Sequence, residues 1–297
     1  MTGSRRRRVH VTGAVPKRVA AALEQDFELV SEPAAAEGIL ALITTTVDDA
    51  YLDRAGPQLE VVANYGVGVN NVDLDAARRR GIVIANTPDV LTKTTAELAI
   101  AVTLGLLRRV VEGDRFIRAR SAWSFSLEFM LGTGLDGKAF GVVGPGRIGG
   151  ETARLAEAFG ARTLFAGRDD PLEELLAAAD VVSLHCPLTP DTHHLIDERA
   201  LATMKSTAAL VNTARGPIVD EHALVAALVG GVIAGAALDV FEFEPDVSEE
   251  LLSMDQVVLT PHMGSGTRTT REAMGMLAVD ALRSVLLSKQ RPPNAVV

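Results

Sequence analysis

The sequence has a single cysteine, Cys186, among its 297 residues. An intramolecular disulfide is therefore excluded, and this cysteine usage fits a reducing compartment. Apolar runs never reach the roughly 18 residues that a membrane-spanning helix needs. The N-terminus carries basic residues without the apolar segment of a signal peptide. We therefore expect a cytoplasmic protein without a membrane partner.

Basic residues are also few, because 29 lysines and arginines stand against 38 aspartates and glutamates, for a net charge of −9. Nucleic-acid binding requires a basic face that neutralises phosphates. The longest basic run, Arg5 to Arg8, precedes the first predicted strand and is interpreted as a solvated terminus. We expect no nucleic-acid partner.

Short apolar runs alternate with helical patterns along the whole chain, which predicts an α/β fold with mainly parallel sheets. The length exceeds the usual size of one domain, and each half resembles a doubly wound sheet. One uninterrupted helix is predicted from Thr94 to about Ile117. The predicted strands are Val9–Thr12, Phe27–Val30, Ile39–Ile43, Val61–Asn64, Val83–Ala85, Ala139–Val143, Thr163–Ala166, Val181–His185, Ala208–Asn212, Ala234–Asp239 and Val257–Leu259.

A glycine-rich turn follows the strand that ends at Val143. Gly144, Gly146 and Gly149 have the G-x-G-x-x-G spacing of dinucleotide-binding turns. In such turns the first glycine permits the tight bend, the second lets a pyrophosphate approach the backbone, and the third lets the helix pack on the strand. The next helix would direct its free amides at a phosphate.

Three ionisable side chains follow later strands, at the sheet edge where α/β proteins bind ligands. Arg215 is either a surface arginine that caps a loop or a group that grips a carboxylate with two hydrogen bonds. His262 is either structural or, with a carboxylate partner, an acid usable near neutral pH. The sequence alone does not show whether Glu244 reaches His262.

Four motifs occur together and in order along nearly the whole chain. These are the glycine turn, Asn-Thr-Ala-Arg-Gly (212–216), Leu-Asp-Val-Phe-Glu-Phe-Glu-Pro (238–245) and Thr-Pro-His-Met-Gly-Ser (260–265). Their combination resembles the D-isomer-specific 2-hydroxyacid dehydrogenase family. The stretch from Pro88 to Ala99 is most similar to the glyoxylate/hydroxypyruvate reductase branch.

This resemblance implies two Rossmann-like domains with the active site in the cleft between them. The substrate-binding, flavodoxin-like domain would comprise residues 1–98 and 275–297, and the dinucleotide-binding domain residues 99–274. The implied activity is NAD(P)-dependent hydride transfer between nicotinamide and a small 2-oxo or 2-hydroxy acid, with glyoxylate or hydroxypyruvate as substrate. A homodimer is implied as well.

The resemblance also assigns roles to individual positions. His262 matches the catalytic acid/base, Glu244 its partner, and Arg215 the arginine that binds the substrate carboxylate, whereas Glu242 is a decoy. The backbone amides of Val67 and Gly68 match a second carboxylate anchor. Expected cofactor-binding residues are Thr95, Gly144, Gly146, Arg147, Ile148, Gly149, Arg168, Pro187, Thr192, Asp239, His262 and Gly264.

The choice of cofactor depends on the end of the second strand of the dinucleotide-binding domain. NAD sites carry an acidic residue there, but this chain has Gly167 followed by Arg168. An arginine suits a 2′-phosphate, so the sequence favours NADP(H) over NAD(H). Asp169 and Asp170 oppose this preference, since either carboxylate would repel a phosphate. The chain is also short here, because relatives usually insert a further helix and strand.

Other candidate groups receive no role from the sequence. Cys186 is interpreted as a small packed side chain. His193 and His194 have no acidic or cysteine partner at metal-ligand spacing, so no metal site is predicted. Trp123 is assigned to core or interface packing; in the family its region joins the dimer contact, and an aromatic there can approach the partner's site.

Two other functions remain open. One is a different dehydrogenase of the same family, such as a phosphoglycerate-type enzyme, which would need further basic residues near residues 65–71. The other is a dinucleotide-sensing binding protein, like a corepressor on the same fold.

Overall fold

The computed structural model describes residues 5–297, so residues 1–4 of the first predicted domain lie outside it. Two compact units divide the chain. Unit 1 comprises the chain up to Leu91 together with Ser265–Val297, and unit 2 comprises Thr92–Gly264. No helix within residues 5–297 is both long and apolar enough to cross a bilayer.

Unit 1 contains a five-stranded parallel sheet in the order β2-β1-β3-β4-β5, the order of flavodoxin-like folds. Its strands are β1 (Arg8–Val11), β2 (Glu28–Val30), β3 (Gly38–Leu42), β4 (Val61–Tyr65) and β5 (Val83–Ala85). Its helices are α1 (Lys17–Asp26), α2 (Asp49–Ala55), α3 (Leu74–Arg80) and α11 (Arg268–Leu286). Asp48 and Asp73 begin α2 and α3 by accepting hydrogen bonds from the amides of Tyr51 and Ala76.

Unit 2 contains a six-stranded parallel sheet in the order β11-β10-β9-β8-β6-β7. Its strands are β6 (Ala139–Val143), β7 (Arg162–Ala166), β8 (Val181–Leu184), β9 (Ala209–Asn212), β10 (Gly235–Leu238) and β11 (Val257–Leu259). Its helices are α4 (Thr92–Leu107), α5 (Val110–Arg118), α6 (Arg147–Ala158), α7 (Leu172–Ala178), α8 (Glu198–Thr203), α9 (Glu221–Val229) and α10 (Glu249–Ser253). Two parallel-sheet α/β units confirm the predicted fold class.

The central strands of unit 2 are buried on both faces, which explains their unbroken apolar sequences. Val182 and Leu210 belong to one core cluster, whereas their neighbours Val181 and Val211 belong to another. Consecutive residues thus point to opposite faces of the sheet. Strand β7 is an edge strand, which agrees with the short segment after Arg168.

The long helix predicted from Thr94 is wrong, because the structure has α4 and α5 with a break between them. Arg109 adopts a left-handed conformation (φ 54°) and pairs with Glu112. The carbonyl of Leu107 accepts a hydrogen bond from the amide of Thr133, at 2.9 Å, instead of continuing the helix. No proline or glycine marks this break, so the sequence pattern missed it.

Candidate active site

The glycine turn lies at the switch point of the unit 2 sheet, where the strand order reverses between β6 and β8. Gly144 has a φ of +87°, and a Cβ there would lie 2.6 Å from the amide nitrogen of Cys186. A Cβ at Gly149 would overlap the carbonyl of Gly144. A Cβ at Gly146 would meet nothing within 4 Å. The turn is therefore closed towards the protein and open on the side from which a phosphate would approach the first turn of α6.

The remaining expected cofactor positions of unit 2 fall into small groups. Arg147 is exposed and Ile148 partly exposed in the first turn of α6. The hydroxyl of Thr192 donates to the carbonyl of Pro187 at 2.6 Å, which closes the loop after β8. A Cβ at Gly264 would lie 3.3 Å from both Thr95 and Asp239.

Asp239 organises the loop after β11. Its carboxylate, almost completely buried at 1% exposure, accepts hydrogen bonds from the hydroxyl of Thr260 and from the amides of Met263 and Gly264. Burial raises the pKa of Asp239, although these three donors favour its ionised form. Three of the roughly four acceptor positions of this carboxylate are thus occupied within the protein.

His262 and Glu244 form the hydrogen-bonded pair that sequence reasoning could not establish. Nδ1 of His262 lies 2.8 Å from Oε2 of Glu244. The backbone of His262 is left-handed (φ 48°), and its amide donates to the carbonyl of Asp239 at 2.8 Å. Because Glu244 accepts at Nδ1, the second ring nitrogen, Nε2, faces away from the carboxylate and is the one that can exchange a proton with a ligand.

Glu244 is held as an anion. Its Oε1 accepts from the amide of Phe241 at 3.0 Å. Burial alone would raise the pKa of Glu244, but the hydrogen bond and charge of His262, with a contribution from Arg215, hold it below its usual value. The carboxylate is therefore ionised near neutral pH, as a partner of an imidazolium must be.

Arg215 begins a short 3₁₀ turn, Gly216–Ile218, directly after β9. Asn212 positions this loop, since its Nδ2 donates to the carbonyl of Arg215 and its Oδ1 accepts from the amide of Ala214. Burial lowers the pKa of Arg215 and the charge of Glu244 opposes this, but a guanidinium remains protonated in proteins. Asn212 is the first residue of the motif Asn-Thr-Ala-Arg-Gly, but the motif alone does not reveal this role.

At the end of β7, the structure places an acidic side chain beside Arg168. Oδ2 of Asp170 accepts from the amide of Gly167 at 2.7 Å, while Arg168 is exposed. Both groups therefore lie at the strand end where the adenosine ribose of a dinucleotide binds.

Val67 and Gly68 lie in unit 1, in the loop after β4. Their carbonyls accept from the side-chain amides of Asn86 and Asn64, each at 2.8 Å. Asn64 is fully buried in β4, so this loop has a fixed backbone orientation.

One sequence interpretation needs correction. His194 does have an acidic partner, because its Nε2 lies 2.7 Å from Oε1 of Glu242, 48 residues along the chain. Residue spacing cannot reveal a contact between two loops that the sheet brings together. Cys186 remains without a chemical role, since burial raises the pKa of its thiol to about 11.

A family model described as D-isomer specific 2-hydroxyacid dehydrogenase, NAD binding domain, matches residues 100–264. Among curated proteins, a glyoxylate reductase of Pyrococcus furiosus is 42% identical over 322 aligned positions, which cover 97% of this chain and 95% of the relative.

Solved structures agree with these matches. The TT0316 protein of Thermus thermophilus superposes with a TM-score of 0.90 at 43% identity and covers 98% of this chain and 100% of its own. An NADPH-dependent glyoxylate/hydroxypyruvate reductase of Sinorhizobium meliloti, solved with NADP and malonate, has a TM-score of 0.87 at 35% identity, with coverage of 98% and 97%.

Proposed function

We propose that this chain reduces glyoxylate or hydroxypyruvate to the corresponding 2-hydroxy acid. The chain belongs to the D-isomer specific 2-hydroxyacid dehydrogenase family and is an enzyme of that family. Where the 2-hydroxy acid product is chiral, it has the D configuration. The observation that carries this proposal is the pairing of Nδ1 of His262 with Glu244, with Arg215 acting electrostatically on the same carboxylate.

The chain's own residues divide the chemistry between them. Arg215 binds the carboxylate of the 2-oxo acid through its planar guanidinium and polarises the adjacent carbonyl. His262 donates a proton from Nε2 to the carbonyl oxygen as negative charge develops there. Glu244 orients the imidazole ring through its hydrogen bond at Nδ1. In the oxidative direction, neutral His262 accepts the proton of the hydroxyl group.

The residues of unit 2 fit a nicotinamide dinucleotide. The open face of Gly146 leaves room for a pyrophosphate at the N-terminus of α6. When bound, the cofactor supplies or accepts the hydride. Asp239 would accept a hydrogen bond from the nicotinamide carboxamide at the one acceptor position that its own loop does not occupy. Thr95 and Gly264 lie beside Asp239. The rest of the cofactor site would be lined by Arg147, Ile148, Pro187 and Thr192.

We further propose that Val67 and Gly68 bind the substrate carboxylate through their backbone amides. The fixed loop after β4 supports this, because Asn64 and Asn86 hold the carbonyls of both residues. Asn86→Ala would release the carbonyl of Val67 and should raise KM for the 2-oxo acid more than it lowers kcat. An unchanged KM would remove this loop from the substrate site.

We propose NADP(H) as the preferred cofactor, with Arg168 as the ligand of the 2′-phosphate. A relative named as NADPH-dependent supports this choice. The carboxylate of Asp170 at the amide of Gly167 acts against it, since a phosphate would approach a negative charge. Asp170→Asn keeps an acceptor for this amide and should strengthen NADPH binding relative to NADH, measured by cofactor fluorescence titration. An unchanged ratio would show that Asp170 has no influence on cofactor choice.

We also propose that the enzyme is a homodimer. Helix α5 and the segment after it expose many large apolar side chains, including Phe125 at 82% and Leu127 at 84%. Such a patch is typical of a protein interface. Phe125→Asp combined with Leu127→Asp should convert a dimer to a monomer in light-scattering chromatography, and a wild-type monomer would contradict the proposal.

The function is tested by mixing the purified chain with NADPH or NADH and a panel of glyoxylate, hydroxypyruvate, pyruvate, branched 2-oxo acids and a phosphorylated 2-oxo acid. We expect the highest kcat/KM with glyoxylate or hydroxypyruvate. A preference for the phosphorylated acid would indicate a phosphoglycerate-type enzyme. Tight cofactor binding without turnover of any acid would indicate a dinucleotide sensor.

A further inference from the structure

A second histidine–carboxylate group lies on the loops after β8 and β10. His193, His194 and Glu242 each offer one ligand atom, and these atoms all lie within 4.8 Å of one another. The two imidazole rings lie against each other at a tilt of 31°, with centroids 4.1 Å apart. Neighbouring residues in a chain rarely present both side chains to one point, but the left-handed backbone of His194 (φ 51°) allows it here.

Two members of this group are held in place by the rest of the protein. The side chain of Glu242 is only 11% exposed, and its Oε2 accepts from the amide of Glu221 at 3.0 Å. The amide of His194 donates to the carbonyl of Pro217 at 2.8 Å. A carboxylate oxygen of Asp220 lies 3.8 Å from Nδ1 of His194. Outer carboxylates orient metal-binding histidines when they accept a hydrogen bond from the second ring nitrogen, and Asp220 lies just beyond that distance here.

We propose that His193, His194 and Glu242 form a binding site for a zinc ion. Two imidazoles and one carboxylate are a recurrent zinc donor set that leaves a fourth position to water. His193 is exposed, so the ion has a path from solvent and the ring is free to turn towards it. Tetrahedral zinc with bonds of about 2.0–2.2 Å needs ligand atoms roughly 3.4 Å apart. On binding, the atoms of the 2.7 Å pair of His194 and Glu242 therefore move apart, and the ring of His193 turns towards them.

The zinc ion takes the place of the hydrogen between Nε2 of His194 and Oε1 of Glu242. The proton leaves Nε2 for solvent or moves through solvent to Nδ1, so that the bound ring is a neutral imidazole with its hydrogen on Nδ1, which faces Asp220. The bound ion then links residues 193–194 to the loop of Glu242, two positions before Glu244. Because the unfolded chain does not keep this geometry, zinc binding stabilises the folded protein. None of these steps depends on the proposed reaction.

The site is tested on the full chain without an affinity tag by isothermal titration with zinc chloride. We expect one ion per chain, and we expect cobalt(II) at the same site to give the visible absorption of a tetrahedral complex. His193→Ala should weaken zinc binding by at least roughly tenfold. The matched control is His222→Ala, another exposed histidine outside the group, which should bind zinc like the wild type.

Thermal unfolding separates binding from folding. Without metal, His193→Ala should unfold at the wild-type temperature because His193 is exposed. With zinc, the unfolding temperature should rise for the wild type and for His222→Ala but not for His193→Ala. Absence of stoichiometric zinc binding by the wild type would overturn the proposal. So would equal zinc affinity in His193→Ala, which would identify an adventitious ion held elsewhere.

Discussion

The loop after β10 carries two glutamates, and each is paired with a histidine from another loop at almost the same distance. Glu242 lies 2.7 Å from His194, and Glu244 lies 2.8 Å from His262. The second oxygen of each carboxylate accepts a backbone amide, from Glu221 in one pair and from Phe241 in the other. In distance and in the contacts of their carboxylates the two pairs are alike, although His194 uses Nε2 and His262 uses Nδ1.

Their surroundings make the difference. Glu244 lies in the field of Arg215, a cation suited to bind a carboxylate, whereas the second nitrogen of His194 faces another carboxylate, that of Asp220. The loop that carries His262 is held by Asp239, which accepts hydrogen bonds from the amides of His262 and Met263. The groups around each pair, and not the pairs themselves, therefore distinguish the one that we propose for proton transfer.

Replacing the two histidines should separate the pairs most strongly. His262→Ala should lower kcat/KM for reduction by roughly 10²–10⁴-fold, because the proton donor is lost. Cofactor affinity should stay near the wild-type value. His194→Ala should instead lower the stability of the folded state by about 1–3 kcal/mol, since the largely buried Glu242 loses a hydrogen-bond donor. Steady-state kinetics and urea unfolding measure both. Equal losses of kcat/KM in the two variants would contradict the assignment.

Arg215 is the cation that distinguishes the Glu244 pair. Arg215→Lys keeps the charge but cannot form two parallel hydrogen bonds to a carboxylate. We expect kcat/KM to fall roughly tenfold to a hundredfold, mainly through KM, because hydrogen bonds to charged groups contribute about 1.5–3 kcal/mol. Arg199→Lys is the matched control, since the side chain of Arg199 is 80% exposed on α8. An unchanged KM in Arg215→Lys would place the carboxylate-binding group elsewhere.

The two glutamates give a smaller contrast. Glu244→Gln should reduce kcat/KM by roughly tenfold, because a charge-assisted hydrogen bond to His262 becomes a neutral one. Glu242→Gln should leave kcat/KM of the folded enzyme near the wild-type value. It should lower the unfolding temperature, because a neutral amide replaces the carboxylate in the hydrogen bonds to His194 and to the amide of Glu221. The opposite ranking in kcat/KM would exchange the roles of the two pairs.

Much of the fold could be predicted because buried parallel strands are continuous apolar runs, and the predicted strands agree with the structure within one residue at each end. The break at Arg109 was missed because the carbonyl of Leu107 accepts its hydrogen bond from Thr133, a residue distant from it in the sequence. Helix α10 could not be predicted, because five residues are too few for a periodic pattern.

The candidate site follows the same division. Arg215, Glu244 and His262 could be singled out because they follow strands whose ends share one edge of a sheet. The contact between Glu242 and His194 could not, since it joins two loops 48 residues apart whose side-chain directions depend on the packing of both. The carboxylate of Asp170 was recognised as a possible obstacle to phosphate, but its position at the amide of Gly167 required coordinates.

The smallest expected effect concerns pH and the Glu244 pair alone. Since the pKa of Glu244 in the folded protein lies below its ordinary value of 4.5, this carboxylate contributes stability above that pH. The contribution is lost as the pH falls through the lowered pKa. The difference in unfolding temperature between wild type and Glu244→Gln should therefore shrink below pH 4.5. Glu244 is about one-third exposed, so solvent screening keeps this difference small.

The same measurement in a His262→Ala background identifies the group responsible. There the shrinkage should largely disappear, because His262 is the main group that lowers the pKa of Glu244. A full pH dependence without His262 would mean that Arg215 or the amide of Phe241, and not the histidine, holds Glu244 as an anion.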